Sequence, residues 1–209
     1  MFGVDLSSYR NAHYGTEVLV AEDGVFLGYI IIADTIKEDA VTAIRSIQEE
    51  GVRTAMLTGD AKGSAEAVAK EAGVQEVYAQ LLPQDKLVKL QEIRKKNGAV
   101  LFVGDGINDA PVLAGADVGA AMGSGADAAI EAADVVFMTS AMEAIPESIR
   151  IAKVTAGIAM QNVVFALVIK ALVMVLGLMG FANMWLAVFA DTGVAMVCVL
   201  NAVRILYKK

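Results

Sequence analysis

The C-terminal part of the chain constrains the fold most, because it contains two long apolar segments separated by a short turn. The first runs from about residue 154 to residue 178, and the second from residue 184 to residue 207. Each is long enough, as a helix, to cross the roughly 30 Å hydrocarbon core of a bilayer. Hydrophobic residues make up 56% of the chain, more than in a typical soluble domain, and the excess lies here. We therefore predict a two-helix transmembrane hairpin, with a buried hairpin in a soluble protein as the alternative.

Basic residues flank the predicted hairpin on both sides. Arg150 and Lys153 precede it, and Arg204, Lys208 and Lys209 lie at its end. Because the cytoplasmic flanks of membrane helices carry an excess of Lys and Arg, we predict that both ends of the hairpin face the cytoplasm. The turn then lies outside. We expect an integral protein of the plasma (cytoplasmic) membrane, in contact with membrane lipid.

Two opposite charges lie well inside the apolar segments. Lys170 is about eleven residues before the centre of the turn, and Asp191 is about ten residues after it. Antiparallel helices joined by a short turn place such positions at similar depth, so contact between the two side chains is predicted. Ionisable residues within a membrane are costly and usually pair with each other or line an ion path. A purely structural ion pair is the alternative to an ion path.

The region before the hairpin alternates between strand and helix patterns. Two β-rich runs around Glu22-Asp23-Gly24 first predict a β-hairpin. Helical spacing of apolar residues then predicts helices over residues 40–47 and 65–71, and one that begins at Lys86. Short apolar runs predict strands at residues 53–57, 75–78, 99–103, 118–122 and 135–138. This alternation is typical of an α/β domain with a parallel sheet and right-handed crossovers.

One predicted strand ends in a string of unusual composition. The apolar run at residues 99–103 leads directly into Gly-Asp-Gly-Ile-Asn-Asp-Ala-Pro at residues 104–111. Open α/β sheets bind ligands beyond the carboxyl ends of their strands. Carboxylates suit Mg²⁺, which usually binds one or two of them together with phosphate oxygens. Asp105 is thus the first candidate for Mg²⁺, with Asp109 as a second ligand or as a support for the loop, while Asn108 can donate to a phosphate.

This string resembles the hinge motif of the P-type ATPases, which belong to the haloacid dehalogenase-like superfamily. Met-Leu-Thr-Gly-Asp at residues 56–60 is similar to the second phosphate-binding motif of that family, and Leu-Pro-Gln-Asp-Lys at residues 82–86 to the third. The resemblance implies ATP and Mg²⁺ as cofactors and a Rossmann-like (Rossmannoid) parallel sheet. It also implies catalytic positions at Thr58, Gly59, Asp60, Lys86 and Asn108. In that arrangement the Thr58 hydroxyl bonds the phosphoryl group and the Lys86 ammonium neutralises its charge, whereas Asp60 could instead cap the helix that follows.

A fourth stretch narrows the resemblance to the heavy-metal-transporting subgroup. Ala-Asp-Thr-Gly at residues 190–193 resembles the last membrane helix of the zinc, cadmium and lead exporters. The resemblance implies that Asp191 is a ligand of the transported Zn²⁺, Cd²⁺ or Pb²⁺ and that Lys170 is its counter-ion. The copper-pump pattern is not matched, and a carboxylate suits Zn²⁺ better than Cu⁺. The residues do not distinguish between zinc, cadmium and lead.

Other motifs of these pumps do not occur in the chain, above all the Asp-Lys-Thr-Gly-Thr string that carries the phosphorylated aspartate. We therefore expect this chain to be the C-terminal portion of a pump, inactive without its missing N-terminal part. On that basis residues 1–33 are predicted to be the tail of the nucleotide-binding domain and the hinge. Residues 34–148 are then the phosphorylation domain, and residues 149–209 the membrane hairpin.

Two further functions stay open at this stage. One is a membrane-anchored haloacid dehalogenase-like phosphatase with another nucleophile, although no Asp-x-Asp motif precedes the first strand pair. The other is a non-catalytic remnant that regulates a complete pump. Nucleic acid is not an expected partner, because the net charge is −7 and nucleic-acid-binding domains carry a basic face.

Overall fold

A computed structural model describes residues 16–32, 35–181 and 183–207 of the chain. The chain divides into two compact units, Met1–Ile145 and Pro146–Lys209. Lys208 and Lys209, which supported the predicted orientation of the hairpin, lie outside the described residues. The same holds for the first fifteen residues of the predicted nucleotide-domain tail and for residues 33 and 34 of the hinge region.

The first unit opens with the predicted β-hairpin. Strands β1 (Thr16–Glu22) and β2 (Val25–Ile32) pair antiparallel, and Glu22 faces Val25 across the turn. Asp23 and Gly24 between them have φ angles of +48° and +80°. A positive φ at both central residues is what a tight type I′ hairpin turn requires, and Asp-Gly supplies it at low cost.

The remaining elements of the first unit alternate as predicted. In chain order they are α1 (Ala40–Glu49), β3 (Ala55–Leu57), α2 (Lys62–Ala72), β4 (Glu76–Tyr78), α3 (Pro83–Asn97), β5 (Leu101–Gly104), α4 (Ala110–Gly115), β6 (Val118–Met122), α5 (Asp127–Ala132) and β7 (Val135–Phe137). All pairings among β3 to β7 are parallel. The α/β class with parallel strand pairing that the sequence predicts is confirmed.

The parallel strands form two sheets and not one continuous sheet. β3 pairs with β4, while β5, β6 and β7 form a second sheet in that order. Within the described residues, β3 and β5 therefore each have a single strand neighbour. These two strands are the ones that end at the Thr58 and Asp105 motifs, so both motifs lie at the end of a strand with one open edge.

Helix α3 begins three residues earlier than predicted. Its first residue is Pro83, not Lys86, because a proline at the first helical position has φ preset for the helix and no N–H to lose. The Asp85 carboxylate accepts a hydrogen bond from the Leu82 backbone N–H at 3.2 Å, which closes the first turn. Lys86 consequently lies within that first turn and not at the start of the helix.

The core of the first unit lies between α3, α4 and strand β6. Leu90, Val112 and Leu113 are the largest fully buried side chains among the described residues, and burial of each contributes about 1.5–3 kcal/mol. Strand β6 carries Gly119, Ala120 and Ala121, whose small side chains let α4 approach closely. A Cβ at Gly119 would lie 2.4 Å from the Leu113 carbonyl oxygen. Close packing of α4 on β6 fixes the loop between β5 and α4.

The second unit is a helical hairpin. Helix α6 (Ala144–Leu178) has 35 residues and begins within the first unit. After the turn come α7 (Met184–Val188), a π-helical turn (Phe189–Gly193) and α8 (Val194–Val203). A short 3₁₀ turn (Arg204–Tyr207) continues from α8. Ala182, in the turn, is outside the described residues.

Both arms of the hairpin are long and apolar enough to cross a membrane. The candidate spans are Ala144–Leu178 and Met184–Tyr207. Most of their apolar side chains are exposed on this chain, including Leu167, Leu172 and Leu200. A core helix of a soluble protein would bury such side chains, so the pattern favours contact with lipid over the soluble alternative.

Candidate functional site

The loop after β5 is held in place by backbone contacts with a glycine-containing turn. The Asp105 carbonyl oxygen accepts a hydrogen bond from the Ala126 N–H at 2.8 Å. A Cβ at Gly125 would lie 2.8 Å from that same carbonyl oxygen and 2.9 Å from the Met122 carbonyl oxygen. The stretch at residues 123–125 forms a turn. Its support of Asp105 was not foreseen, although the two glycines were a visible signal.

The Asp105 side chain is exposed and free to bind a ligand. Within the described part of the chain its carboxylate has no hydrogen-bond or ion-pair partner, and only its backbone is engaged. Asn108 is also exposed, on the short 3₁₀ turn between β5 and α4. Both side chains therefore point their polar groups toward solvent at the carboxyl end of β5, where α/β sheets collect ligands.

Asp109 has a different environment. Its Oδ1 accepts a hydrogen bond from the Lys86 ammonium at 2.8 Å, and its Oδ2 accepts one from the Gly106 N–H at 3.3 Å. The side chains of Lys86 and Asp109 are only 16% and 15% exposed. Gly104 makes room for this arrangement, since a Cβ there would lie 2.9 Å from the Asp109 Cβ. Of the two roles considered for Asp109, the geometry favours support of the loop and of Lys86.

Thr58 lies directly after β3, and its backbone N–H donates to the Tyr78 carbonyl oxygen at 2.9 Å. Its hydroxyl donates to the Asp60 carboxylate at 2.7 Å and accepts from the Asp60 N–H at 3.1 Å. The alternative that Asp60 caps the next helix is wrong. The residue before α2 is Ala61, and no side chain caps that helix. Asp60 instead orients the Thr58 hydroxyl.

The three motifs of the first unit are joined by contacts. The Thr58 carbonyl oxygen accepts from the Leu81 N–H at 3.0 Å, and a Cβ at Gly59 would lie 3.4 Å from the Leu81 carbonyl oxygen. Leu81 leads into α3, whose first turn holds Lys86. Lys86 in turn contacts Asp109. The motif at residues 56–60 thus touches the start of the third motif, which touches the loop after β5.

The donor set fits Mg²⁺ bound with a phosphate better than a metal held by protein alone. No group of three or more His, Cys, Asp or Glu side chains able to hold a metal occurs among the described residues. Mg²⁺ typically takes one or two carboxylates and fills its other positions with water and substrate phosphate oxygens. One free carboxylate at Asp105 agrees with that pattern.

In the second unit, the two intramembrane charges are in contact. The Lys170 ammonium lies 3.4 Å from Asp191 Oδ1. The two residues line an open groove together with Val173, Met174, Ala187 and Ala190. Asp191 is the middle residue of the π-helical turn Phe189–Gly193. Single π-helical turns inside α-helices are frequent at functional sites.

Known proteins resemble this chain over both units. A profile of the haloacid dehalogenase-like hydrolase family matches residues 6–117. A cadmium, zinc and cobalt-transporting ATPase of Bacillus subtilis (strain 168) is 52% identical over 200 residues, which cover 93% of this chain and 28% of that protein. A zinc-transporting ATPase of Synechocystis sp. (strain ATCC 27184 / PCC 6803 / Kazusa) is 53% identical over 195 residues, covering 91% of this chain and 27% of the relative.

A solved structure agrees with these sequence relatives. The crystal structure of a zinc-transporting PIB-type ATPase in the E2.Pi state superposes with a TM-score of 0.85 at 39% identity, over 91% of this chain and 31% of that one. The chain thus spans only about 28% of the length of the curated relatives. It belongs to the haloacid dehalogenase-like hydrolase family, and within that family its relatives are the heavy-metal-transporting P-type ATPases.

Proposed function

We propose that this chain is the C-terminal part of an ATP-driven exporter of Zn²⁺, Cd²⁺ or Pb²⁺. The complete pump couples Mg²⁺-dependent formation and hydrolysis of an aspartyl phosphate to metal movement across the membrane. One observation supports the proposal most. The same chain contains a cluster of residues suited to binding phosphate, with the Lys86–Asp109 pair, and a Lys170–Asp191 pair within the candidate membrane helices. Its relatives of 52% and 53% identity, which cover both units, are named as metal-transporting ATPases.

The first unit supplies the groups that stabilise a transferring phosphoryl group. Phosphoryl transfer needs charge neutralisation and in-line positioning more than covalent chemistry from these side chains. The Thr58 hydroxyl donates its one proton to Asp60 here, and would turn that proton to a phosphoryl oxygen when the phosphoryl group is bound. Lys86, held by Asp109, supplies positive charge, and Asn108 donates without adding charge. The phosphorylated aspartate belongs to a part of the protein outside this sequence.

Asp105 would hold Mg²⁺ beside that phosphoryl group. When bound, Mg²⁺ neutralises phosphate charge and orients the phosphate oxygens. The exposed Asp105 carboxylate supplies a ligand, and the Gly125–Ala126 turn fixes its backbone. Both oxygens of the Asp109 carboxylate already accept hydrogen bonds, from Lys86 and from the Gly106 N–H. We therefore propose that Asp109 supports the loop and does not bind the metal.

In the membrane unit, Asp191 binds the transported metal and Lys170 serves as the built-in counter-ion. When the metal leaves, the Lys170 ammonium returns to the carboxylate, which lowers the cost of an unpaired charge inside the bilayer. The same ammonium competes with the metal for Asp191 and so favours release. Both ends of the hairpin face the cytoplasm in this proposal, in accord with their flanking basic residues.

Zinc-stimulated ATP hydrolysis by the full-length protein tests this proposal. We expect Zn²⁺, Cd²⁺ or Pb²⁺ to stimulate hydrolysis by the wild type and Asp191→Ala to abolish the stimulation. Met196→Ala is a matched control, because Met196 is 64% exposed on the next helix and lines neither site. Stimulation that survives in Asp191→Ala would remove Asp191 from the metal path.

The outcome also separates the pump from the phosphatase alternative. A membrane-anchored phosphatase would hydrolyse small phosphate esters without any transition metal and would be indifferent to Asp191→Ala. A regulatory remnant would show neither activity in any form of the protein. Coverage of both units by the relatives favours the pump.

A further inference from the structure

A second polar contact joins the two arms of the membrane hairpin, away from Lys170 and Asp191. The Asn162 side-chain amide on α6 donates to the Cys198 carbonyl oxygen on α8 at 3.0 Å. The Asn201 amide donates in turn to Asn162 Oδ1 at 2.8 Å. Arg204 donates to Asn201 Oδ1 at 2.8 Å. We call Asn162, Asn201 and Arg204 the amide clamp.

The side-chain amides of Asn162 and Asn201 find hydrogen-bond partners between the two helices. Asn162 and Asn201 are both half-buried. The Asn201 amide donates and accepts within the clamp, whereas Asn162 accepts from Asn201 and donates to the Cys198 carbonyl oxygen. Cys198 adds a weaker contact, with Sγ 3.8 Å from the Asn162 carbonyl oxygen. Polar side chains hydrogen-bonded across helices stabilise helix pairs in membranes, where water does not compete for the same groups. The clamp therefore favours one arrangement of α6 against α8.

The arrangement that the clamp favours is the one that pairs Lys170 with Asp191. Eight residues separate Asn162 from Lys170 on α6, and seven separate Asp191 from Cys198 on the returning arm. At 1.5 Å per residue these separations are about 12 Å and about 10 Å, so the two contacts specify the same antiparallel register. A slip of one residue would rotate a side chain by about 100° around its helix and move Asp191 away from Lys170.

The ion pair cannot hold this register by itself. If Asp191 takes a metal, as proposed above, Lys170 loses its partner at that moment. The π-helical turn at Asp191 also interrupts the regular α-helical ladder of that arm, and such turns are short and less regular than an α-helix. The amide clamp contains no carboxylate and keeps its hydrogen bonds whether or not metal occupies the groove.

We propose that Asn162 and Asn201 are positioning residues for metal transport: their hydrogen bonds fix the register of α6 and α8 that keeps Lys170 beside Asp191. This inference rests on the proposed function, since it gives the clamp a role in the affinity of the same metal site. Neither residue contacts the metal. Their effect passes through the geometry of the groove lined by Lys170 and Asp191.

The test compares zinc dependence and metal-free phosphorylation in the full-length protein. We expect Asn162→Leu to raise the zinc concentration for half-maximal ATP hydrolysis about tenfold, with most of the maximal rate retained. Phosphorylation by inorganic phosphate without zinc, the reverse of the hydrolysis step, should stay at the wild-type level. Val163→Ala is the matched control, because the adjacent Val163 is 54% exposed and outside the clamp.

Asn201→Ala keeps the test decisive if Asn162→Leu does not fold. This variant removes the outer hydrogen bond and leaves the Asn162 bond to Cys198, so we expect a smaller shift of about threefold. The double variant should shift zinc dependence no more than Asn162→Leu alone, since both residues act in one network. Wild-type zinc dependence in the single variants would overturn the inference, as would an equal loss of phosphorylation by inorganic phosphate. If the proposed function is wrong, the wild type itself will show no zinc-stimulated ATP hydrolysis, and this result is distinct from those that overturn the role of the clamp.

Discussion

At the scale of single residues, burial and partners separate the two acidic residues of the loop after β5. Asp109 is 15% exposed and paired with Lys86, whereas the Asp105 carboxylate has no partner within the described residues. A largely buried carboxylate whose two oxygens both accept hydrogen bonds can order a loop, while an exposed carboxylate without a partner can bind a cation. Substitution of Asp105 is therefore expected to affect Mg²⁺ binding, and substitution of Asp109 to affect stability.

Asp105→Asn should block phosphoenzyme formation by the full-length protein at ordinary Mg²⁺ concentrations and leave its melting temperature nearly unchanged. Asparagine keeps the shape of the side chain but removes the charge that Mg²⁺ requires. Phosphoenzyme formation and thermal unfolding of the same preparation provide the two readouts. Normal phosphoenzyme levels in this variant would show that Asp105 does not hold the metal.

Asp109→Leu should instead lower the melting temperature. The change leaves the Lys86 ammonium largely buried without its anion, and removing one partner of a hydrogen-bonded charge costs about 1–3 kcal/mol. The double variant Asp109→Leu, Lys86→Met removes both charges and should regain part of that loss. A double variant no more stable than Asp109→Leu would contradict the pairing.

A separate pair of side chains predicts how one pKa responds to a substitution. The Tyr78 hydroxyl donates to Glu76 Oε2 at 2.6 Å, and this hydrogen bond holds the pKa of Glu76 below its ordinary value. The same hydrogen bond raises the pKa of Tyr78 above its ordinary value. Stabilisation from Glu76 is present above its ordinary pKa and is lost as pH falls through the lowered one. Stabilisation from Tyr78 is present below its ordinary pKa and is lost as pH rises through the raised one.

Tyr78→Phe removes the hydroxyl and keeps the ring. We therefore expect the pKa of Glu76 to rise toward its ordinary value, as followed by NMR titration of its side-chain carboxyl carbon. An unchanged Glu76 titration would mean that the Tyr78 hydroxyl is not its partner in solution.

At the scale of elements, close backbone approaches decide where the site residues lie. The turn between β6 and α5 packs on the backbone of Asp105 through Gly125, where a Cβ would meet carbonyl oxygens at 2.8 and 2.9 Å. Carbonyl oxygens of a sheet edge cannot move aside as a flexible side chain can. Gly125 thus supports the backbone of Asp105, the residue proposed to bind Mg²⁺.

Gly125→Ala should raise the Mg²⁺ concentration needed for half-maximal phosphoenzyme formation by roughly tenfold, since a forced shift of Asp105 costs on the order of 1–2 kcal/mol. Gly63→Ala is the control. Gly63 lies in α2 with open space where a Cβ would go, and alanine there should be neutral or slightly stabilising. Equal Mg²⁺ dependence of the two variants would contradict the proposed support of Asp105.

The periodic elements were predictable, and the contacts between distant segments were not. Apolar runs and the Asp-Gly turn are enough to predict strands β1, β2 and β6, because the residues within each strand and turn determine these elements. Helix α3 begins three residues before the predicted start, because Pro83 and not Lys86 is its first residue. The parallel strands form two sheets because of which strands lie side by side. The spacing of apolar residues within a strand does not predict its neighbours.

The site shows the same division between local and long-range information. Motif resemblance indicates Thr58 and Lys86, and the carboxylate at the end of a strand indicates Asp105. The similar depth of the two positions predicts the contact between Lys170 and Asp191 that the structure shows. Their catalytic and metal-binding roles stay predictions. The contact between Asn162 and Asn201 spans 39 residues. An amide side chain in an apolar segment indicates a polar contact but does not identify its partner.

At the scale of the whole molecule, the proposed function requires one defined orientation of the hairpin in the membrane. Phe181 in the turn and Tyr207 at the end of the second arm are 72% and 83% exposed, so both positions are accessible for labelling. In a Cys198→Ser background, we expect Phe181→Cys to react with an impermeant maleimide added to intact cells. Tyr207→Cys should react only after the membrane is opened. The reverse pattern would contradict the orientation inferred from the basic flanks.

In the proposed function, phosphate chemistry in the first unit drives metal through the site in the second. ATP-driven uptake of radioactive zinc by inverted membrane vesicles that contain the full-length protein measures this directly. We expect accumulation with the wild type and with Met196→Ala, and none above background with Asp105→Asn or Asp191→Ala. Zinc uptake at the wild-type rate in both acidic variants would contradict the coupling.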